Sequence, residues 1–390
     1  MGCTSPTDTS RVRRDTFRRL PALASCMLAL GCAAAWPQLS HAGETKAFVV
    51  SWFHLAANST DDDCPQGLNP KGHEIMARIL AEQGKSPADI VEIMKGYPGN
   101  YPLYAVKRGS IDGKPVNVYQ NPTSVPDPQI KVGRGRKGFG FNLDGRIGPD
   151  DFVDPQTGEQ GVDNQLFRAF GCFSGLRGTP TSRPTWLSIQ WDMSRDQMPA
   201  WLIEISDVDS LVNDDSVELE IYRAREPIFR NVLGEPQSFM TFQVDPDTRM
   251  HHRVKARIKD GVLSTDVFDF YMIADFFLQP EFIFKNARLR LDVKQDGTLK
   301  GIIGGYSPWD QAYLGLAAGE SAVEGMVALD MPGIYYALRR LADGEVDPQT
   351  GTRTTISSAF TVEAIPAFIV DAKSDGNGLT VNAVRQEPAR

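Results

Sequence analysis

Apolar and charged residues alternate with a period of two through the middle of the chain. The runs 217–221, 253–259 and 288–294 each place apolar side chains on one side of a strand and charged side chains on the other. Asp-Gly pairs at 260–261 and 296–297 supply the tight turns of hairpins. Such alternation is typical of antiparallel sheets with one solvated face. We therefore predict a mainly β protein, built as an antiparallel β-sandwich or an open barrel.

The apolar spacing changes to three and four residues in other parts of the chain. It predicts two short helices within 68–94 and further helices around 309–316 and 335–341, before a last β-like run over 356–370. The β structure should therefore carry short helical additions at both ends. Residues 121–163 are rich in Gly, Pro, Asn and Asp and lack a periodic pattern, which predicts a long ordered loop.

The first 42 residues have the parts of an export signal. A group of arginines precedes an apolar stretch over 20–35, which is too short to span a bilayer, and residues 40–42 form a small-x-small cleavage site. Sec-type export fits best. A twin-arginine signal at 13–14 and a lipoprotein box at 23–26 remain alternatives. We expect a signal peptide over residues 1–42 and a periplasmic or secreted mature protein.

The composition agrees with that compartment. After loss of the signal only Cys64 and Cys172 remain, and we expect them to form one disulfide. The chain carries a net charge of -8, which argues against nucleic acid and anionic membranes as partners. We expect no transmembrane segment in the mature chain. We divide that chain into an N-terminal helical and loop region (43–183), an antiparallel β domain with a helical insertion (184–373) and a flexible tail (374–390).

Carboxylates are concentrated in the segment 142–163, which we call the acidic loop. Beside Asn142 and a single basic residue, Arg146, it contains Asp144, Asp150, Asp151, Asp154, Glu159 and Asp163. Like charges at this density repel one another unless a cation or solvent separates them. Ca²⁺ takes six to eight oxygen ligands and tolerates irregular loops, so we predict that this set binds Ca²⁺. The alternative is a solvated loop whose Asp side chains cap turns.

The stretch 142–147, Asn-Leu-Asp-Gly-Arg-Ile, resembles the centre of an EF-hand calcium loop. Gly145 stands at the sharp turn and Ile147 at the apolar anchor. Gly140 stands where the EF-hand has its first acidic ligand, and Asp151 stands where it has a bidentate Glu. The resemblance implies a calcium-binding loop without the regular flanking helices.

The stretch 133–138 matches the dinucleotide fingerprint Gly-x-Gly-x-x-Gly but lacks its setting. A proline-rich segment precedes it where a strand is needed, and the acidic loop follows it where a helix is needed. We interpret it as a flexible basic loop whose Arg134, Arg136 and Lys137 neutralise the acidic loop.

The hexapeptide Val-Asp-Pro-Gln-Thr-Gly occurs twice, at 153–158 and at 346–351. Asp-Pro opens a type I turn and the final Gly tolerates positive φ, which favours one turn used twice. The alternative is a pair of related ion loops.

No complete catalytic motif is present, so we expect a protein that acts by binding at the cell envelope and is not an enzyme. Its ligand and its oligomeric state stay open. One alternative is a secreted carbohydrate-directed hydrolase that uses a carboxylate pair, with Trp186, Trp191 and Trp201 as sugar-stacking residues. Another is a carrier of an apolar ligand that uses the phenylalanine-rich segment 268–284, although such density is most often sheet core.

Overall fold

Antiparallel strands make up most of the regular structure of this protein. A computed structural model describes residues 43–96, 108–179, 181–184, 190–191, 198–274, 281–319, 323–325 and 328–370. The strands are β1 (Glu44–Leu55), β2 (Gly109–Ile111), β3 (Lys114–Val116), β4 (Phe152–Val153), β5 (Gln160–Val162), β6 (Gln190–Trp191), β7 (Pro199–Val208), β8 (Asp214–Pro227), β9 (Thr241–Gln243), β10 (His252–Lys259), β11 (Val262–Thr265), β12 (Phe268–Ile273), β13 (Glu281–Val293), β14 (Leu299–Pro308), β15 (Thr355–Pro366) and β16 (Phe368–Val370). The helices of the described residues are α1 (Gly72–Glu82), α2 (Pro87–Met94), α3 (Gln165–Phe170), α4 (Ser174–Arg177), α5 (Trp309–Ala317) and α6 (Met331–Leu341).

Eight of these strands form a closed barrel. Its order is β11, β10, β8, β7, β1, β15, β14 and β13, and β13 pairs with β11 to close the circle. The predicted mainly β, antiparallel class is confirmed, and the barrel is closed rather than open. Closure depends on β11, because this short strand pairs with β10 on one side and with β13 on the other. Both of its edges are thereby satisfied, which leaves no unpaired ladder at that point.

Alternating side chains fill the barrel, as the period of two predicted. Leu219, Leu289 and Leu291 are each no more than 2% exposed. On the outer face, Arg253 of β10 donates to Glu220 of β8 at 2.5 Å, across a directly opposed pair. The sequence pattern therefore assigned both faces of these strands correctly.

The described residues of the phenylalanine-rich segment pack as barrel core, and Phe276 and Phe277 lie outside the described residues. Phe270, Phe282 and Phe284 are buried. The Phe282 ring meets Phe53 edge-on, and the Phe284 ring stacks on Phe270 and lies tilted against Phe360. The cavity that remains inside the barrel measures about 20 Å³. A cavity of about 10–15 Å³ already holds one water, so this one is on the scale of a single water and far below the ~300–1,000 Å³ of typical ligand pockets. The described residues of this segment therefore leave little space for an apolar ligand.

The first strand of the barrel comes from the predicted helical and loop region. β1 lies between β7 and β15. Its residues 47–50 are all buried, so they show no alternation that would mark a strand in the sequence. The described residues belong to one compact unit.

Helices pack against β14 and β15 of the barrel. The Ser86 Oγ accepts the Asp89 N–H at 3.2 Å and Pro87 follows it, which gives α2 the start that the sequence predicted. α5 and α6 lie between β14 and β15 in the chain, and α3 packs on both β15 and α6. Among the described residues, no helix has the length and apolar character needed to cross a membrane.

The predicted disulfide is confirmed. Cys64 and Cys172 are bonded, with their Cα atoms 5.7 Å apart and 108 positions between them in the chain. The bond ties the segment before α1 to the segment after α3.

A buried ion pair joins the hairpin of β2 and β3 to the helices. Glu324, fully buried, accepts from both Arg108 Nη atoms at 2.5 and 2.6 Å. The same carboxylate accepts the Tyr119 hydroxyl at 2.7 Å and the Met331 N–H at 3.0 Å. Every oxygen of Glu324 is therefore committed where the chain enters α6.

We expect Glu324→Ala to lower the free energy of unfolding by about 3–5 kcal/mol, because it leaves the Arg108 charge buried without its partner. Urea unfolding measures this change. Asp292→Ala is the matched control, since Asp292 pairs with Lys294 at the surface, and should shift stability by less than about 0.5 kcal/mol. Equal effects of the two substitutions would contradict the structural role of Glu324.

Candidate functional site

The acidic loop lies on the outer wall of the barrel, over β14 and β15. Phe141, just before the loop, and Leu143 pack with Ile302 and Ala359 in a small apolar cluster. Gly304 permits this close approach, because a Cβ there would lie 2.9 Å from the Phe141 ring. The start of the loop is therefore fixed on the barrel by packing.

Two arginines of β13 fasten the loop to the same wall. Arg288 donates to the Asn142 carbonyl at 2.5 Å. Arg290 donates to Asp154 at 2.9 Å and to Glu159 at 3.1 Å. The Asp154 side chain is only 1% exposed, and a carboxylate buried to this degree requires such a partner. Two of the six carboxylates are thus neutralised by a residue more than 100 positions away in sequence.

Residues 134–137 contact the acidic loop through Arg136, and their neutralisation of its carboxylates stays a prediction. Arg136 donates to the carbonyl of Pro149, and in the described part of the chain no ion pair joins Arg134 or Lys137 to a carboxylate of the loop. The glycines of the stretch have a packing role. A Cβ at Gly135 would overlap the Asp63 carboxylate, and one at Gly138 would lie 2.7 Å from the Phe152 ring.

The remaining polar side chains of the loop hold its backbone. Asn142 accepts from the Gly145 N–H, Asp144 from Arg146, Asp151 from Gly148, Asp154 from Gln156 and Thr157, and Asp163 from Leu143 and Asp144. Asp150 contributes its carbonyl oxygen, which accepts from Arg168 at 2.6 Å. This is the turn-capping arrangement that the sequence offered as the alternative to an ion site.

The hydrogen bonds and ion pairs of the loop carboxylates determine whether these oxygens are available to bind the predicted calcium ion. Within the described residues, no group of three or more His, Cys, Asp or Glu side chains is placed to hold a metal. Ca²⁺ needs six to eight oxygens around one centre. Five of the six carboxylates of the acidic loop, all but Asp150, are instead directed at separate N–H and guanidinium groups. The donor set as it stands does not fit Ca²⁺, and calcium binding stays a prediction.

The repeated hexapeptide forms the same turn in both places. The Asp Oδ1 accepts the N–H groups two and three residues further on, at 2.8 and 2.9 Å in the first copy and at 2.7 and 3.3 Å in the second. The last glycine has φ of 74° in the first copy and 69° in the second. The expectation of one turn used twice is confirmed.

A polar cleft opens where the acidic loop meets the end of the barrel. Asp144 and Arg146 of the loop line one side of it. Tyr306 at the end of β14, and Asp343 and Glu345 after α6, line the other. The space measures about 710 Å³. We call it the wall cleft.

A β-bulge borders the wall cleft. The register of β13 against β14 shifts between Lys285 and Arg288, and Asn286 between them has φ of 53°. Asp269 accepts from Lys285 at 2.7 Å and from the Asn286 N–H at 3.2 Å. Bulges are enriched beside functional sites because they redirect side chains out of the ladder.

Carboxylates from separate parts of the chain influence one another beside the cleft. Burial, followed by repulsion from Asp343 and Asp144, raises the pKa of Asp163 to about 7. Burial also raises the pKa of Asp343, against hydrogen bonds from Ser357 that lower it. The pKa of the Tyr306 hydroxyl is raised first by burial and then by the charges of Asp163 and Asp343. Asp163 is therefore partly protonated near neutral pH.

Sequence reasoning identified part of this site. Asp144 and Arg146, which line the cleft, and Asp163 beside it belong to the predicted set. Tyr306 was not singled out, because no motif surrounds it in the sequence. Asp343 and Glu345 directly precede the second hexapeptide copy at 346–351, and the interpretation of that repeat as a turn gave them no binding role. Trp201, considered for sugar stacking, is 2% exposed inside the barrel. Trp186 and the side chain of Trp191 lie outside the described residues.

Comparison with protein-family models, with curated proteins and with solved structures finds no match for this chain.

The raised pKa of Asp163 predicts a pH dependence of stability. The pKa of Asp163 is near 7 in the folded protein and has an ordinary value of 3.8. Between these two pH values the folded protein therefore binds more protons than the unfolded chain. The contribution of Asp163 is present below about pH 4 and is lost as the pH rises through 7. We expect the free energy of unfolding of the wild type minus that of Asp163→Asn to fall by a few kcal/mol between about pH 4 and 8.

Urea unfolding at several pH values measures this difference. Asn keeps an oxygen that accepts the Leu143 N–H, so the variant retains the fold of the loop. Asp292→Asn, at an exposed ion pair, is the matched control. A difference between wild type and Asp163→Asn that stays flat with pH would contradict the buried, proton-binding state of Asp163.

Calcium binding is tested by thermal unfolding of the protein with EDTA and then with Ca²⁺ titrated back. Because the loop carboxylates other than that of Asp150 already have partners, the structure leads us to expect that neither treatment moves the melting temperature, against the prediction from the sequence. A rise with Ca²⁺ that Asp144→Ala removes would establish an ion site and would require the loop to rearrange around it.

Proposed function

We propose that this is an exported protein that acts by binding a polar, hydroxyl-rich ligand at the cell envelope, and that the wall cleft is the binding site. The main support is the convergence of Asp144, Tyr306 and Asp343, from three separate parts of the chain, on a space of about 710 Å³. Ligand pockets typically span about 300–1,000 Å³ and combine an aromatic surface with a few polar groups.

The charges of the cleft favour a neutral or cationic ligand. Asp269 and Lys285, which both line it, pair with each other. The other charged lining residues are the acidic Asp144, Asp343 and Glu345 and the basic Arg146 and Arg353. Arg353 donates to the carbonyl of Gly344 at 2.5 Å, so part of its hydrogen-bonding capacity is already used. Carboxylates accept hydrogen bonds from hydroxyl and ammonium groups. Sugars, and amino sugars above all, carry such groups.

The disulfide supports an extracytoplasmic location. Structural disulfides persist in oxidising compartments such as the periplasm and are rare in the reducing cytosol. The Cys64–Cys172 bond is consistent with the export signal predicted for residues 1–42.

Hydrolysis by a carboxylate pair is the second candidate. It is favoured by Asp163, because a carboxyl group with a pKa of about 7 can donate a proton at neutral pH. Asp144 and Asp343, which raise that pKa, are the candidate partners. The carrier of an apolar ligand has less support, since the cavity inside the barrel measures about 20 Å³.

Binding is tested by calorimetric titration with three oligosaccharide probes of equal length: a chitosan fragment, a neutral glucan fragment and an oligogalacturonide. We expect the cationic chitosan fragment to bind most tightly and the acidic oligogalacturonide most weakly. Loss of one charge-assisted hydrogen bond in Asp144→Asn or Glu345→Gln should weaken binding of the chitosan fragment about tenfold.

Asp292→Asn removes one exposed carboxylate outside the cleft and is the matched control. The proposal would be contradicted if the control weakened binding of the chitosan fragment as much as the cleft variants do. Tighter binding of the acidic probe than of the cationic one would contradict it as well. Release of shorter sugars by the wild type, lost in Asp163→Asn while binding is kept, would favour the hydrolase.

A further inference from the structure

A second cleft lies beside the disulfide, away from the residues that line the wall cleft. Cys64 and Cys172 form part of its wall, together with Gly67 and Ile130. The space measures about 320 Å³, which is large enough for a small ligand. We call it the basic cleft.

All charged side chains that line the basic cleft, within the described part of the chain, are basic. They are Lys131, Arg134 and Arg340, and Gln129 adds a neutral amide. This contrasts with a chain whose net charge is -8. Asp127 lies next to Arg340, but it already accepts from an Nη of Arg340 and from the Gln129 N–H at 2.9 Å.

Lys131 and Arg134 keep uncompensated charge. In the described residues, no carboxylate lies within ion-pair distance of either side chain. Lys131 Nζ donates to the Leu68 carbonyl at 3.1 Å, which leaves two of its three protons for a ligand. Arg134 is exposed, and its guanidinium presents a planar fork of donors.

The backbone that carries these two residues is rigidly held. Asn69 exchanges hydrogen bonds with the backbone of Lys131, at 2.8 and 2.9 Å. The Gly133 N–H donates to the Arg168 carbonyl at 2.8 Å, and the Arg134 N–H donates to the Asp63 carbonyl at 2.7 Å. Asn69 in turn donates to the Cys172 carbonyl at 3.1 Å, next to the disulfide. A ligand would therefore meet two basic side chains whose backbone is already in place, which removes the cost of ordering that backbone on binding.

We propose that the basic cleft binds a phosphoryl group, either free phosphate or the headgroup of an anionic phospholipid. Guanidinium and ammonium groups are the side chains that hold phosphoryl oxygens by charge-assisted hydrogen bonds. The stretch 133–138 thus does contribute to anion binding, through the side chain of Arg134 and not through a glycine-rich turn. The site is independent of the ligand proposed for the wall cleft.

Calorimetric titration of the oxidised protein with inorganic phosphate tests the site. We expect Arg134→Ala to weaken phosphate binding about tenfold, as loss of a charge-assisted hydrogen bond does. Lys137→Ala is the matched control, because Lys137 is an exposed basic residue three positions along the chain that does not line the cleft. The affinity of Lys137→Ala for phosphate should stay within about twofold of that of the wild type, because a change of that size is well below the loss expected for a direct contact.

Sedimentation with vesicles separates the two sources of the phosphoryl group. Binding to vesicles that contain phosphatidic acid, absent with phosphatidylcholine alone and lost in Arg134→Ala, assigns the site to a lipid headgroup. Binding of phosphate alone, with the same dependence on Arg134, assigns it to a soluble anion. The proposal would be overturned if the protein bound neither phosphate nor vesicles with phosphatidic acid. It would also be overturned if Arg134→Ala and Lys137→Ala, with matched unfolding midpoints, had the same affinity for phosphate.

Discussion

The contact between Arg290 and the carboxylates of Asp154 and Glu159 is the interaction on which the arrangement of the wall cleft depends. It places a cation of the barrel wall against two negative charges of the acidic loop, at 2.9 and 3.1 Å. The Arg290 guanidinium also lies 5.2 Å from the centre of the Phe141 ring. The same side chain therefore contacts the apolar cluster that fixes the start of the loop on the barrel. Without this cation the loop would bring like charges together with nothing to offset their repulsion. The loop positions Asp144 and Arg146, and these in turn form one side of the cleft.

The outward direction of Arg290 was predictable, and its partner was not. Alternation along β13 assigns residues 288 and 290 to the outer face, and the structure confirms it. Outer-face residues of an antiparallel sheet are ordinarily solvated. Nothing in the local sequence reveals that a loop more than 100 residues earlier covers this face. The interpretation of the loop as an ion site followed from that missing cation, since Arg146 was the only positive charge within the segment.

The same limit explains why β1 went unrecognised. A period of two appears in a sequence only where one face of a strand is solvated. Residues 47–50 are buried without interruption, because β1 lies inside the barrel sheet and β16 contacts it. A short apolar run of this kind does not distinguish a strand from other buried segments. The strands at 217–221, 253–259 and 288–294, with charged outer faces, were found from sequence for the opposite reason.

Asp163 connects the stability of the loop to the chemistry of the cleft. Its Oδ2 accepts the Leu143 N–H at 2.7 Å, so its carboxyl group shapes the backbone that carries Asp144. The burial that makes this contact firm also raises its pKa to about 7, together with repulsion from Asp343 and Asp144. A cationic group entering the cleft would offset that repulsion and draw the proton from Asp163. Occupation by a neutral sugar would leave it in place. The protonation state of Asp163 thus couples the charge of a ligand in the cleft to the backbone of the acidic loop. Removing the carboxyl group outright would disturb both the loop backbone and the electrostatics of the cleft.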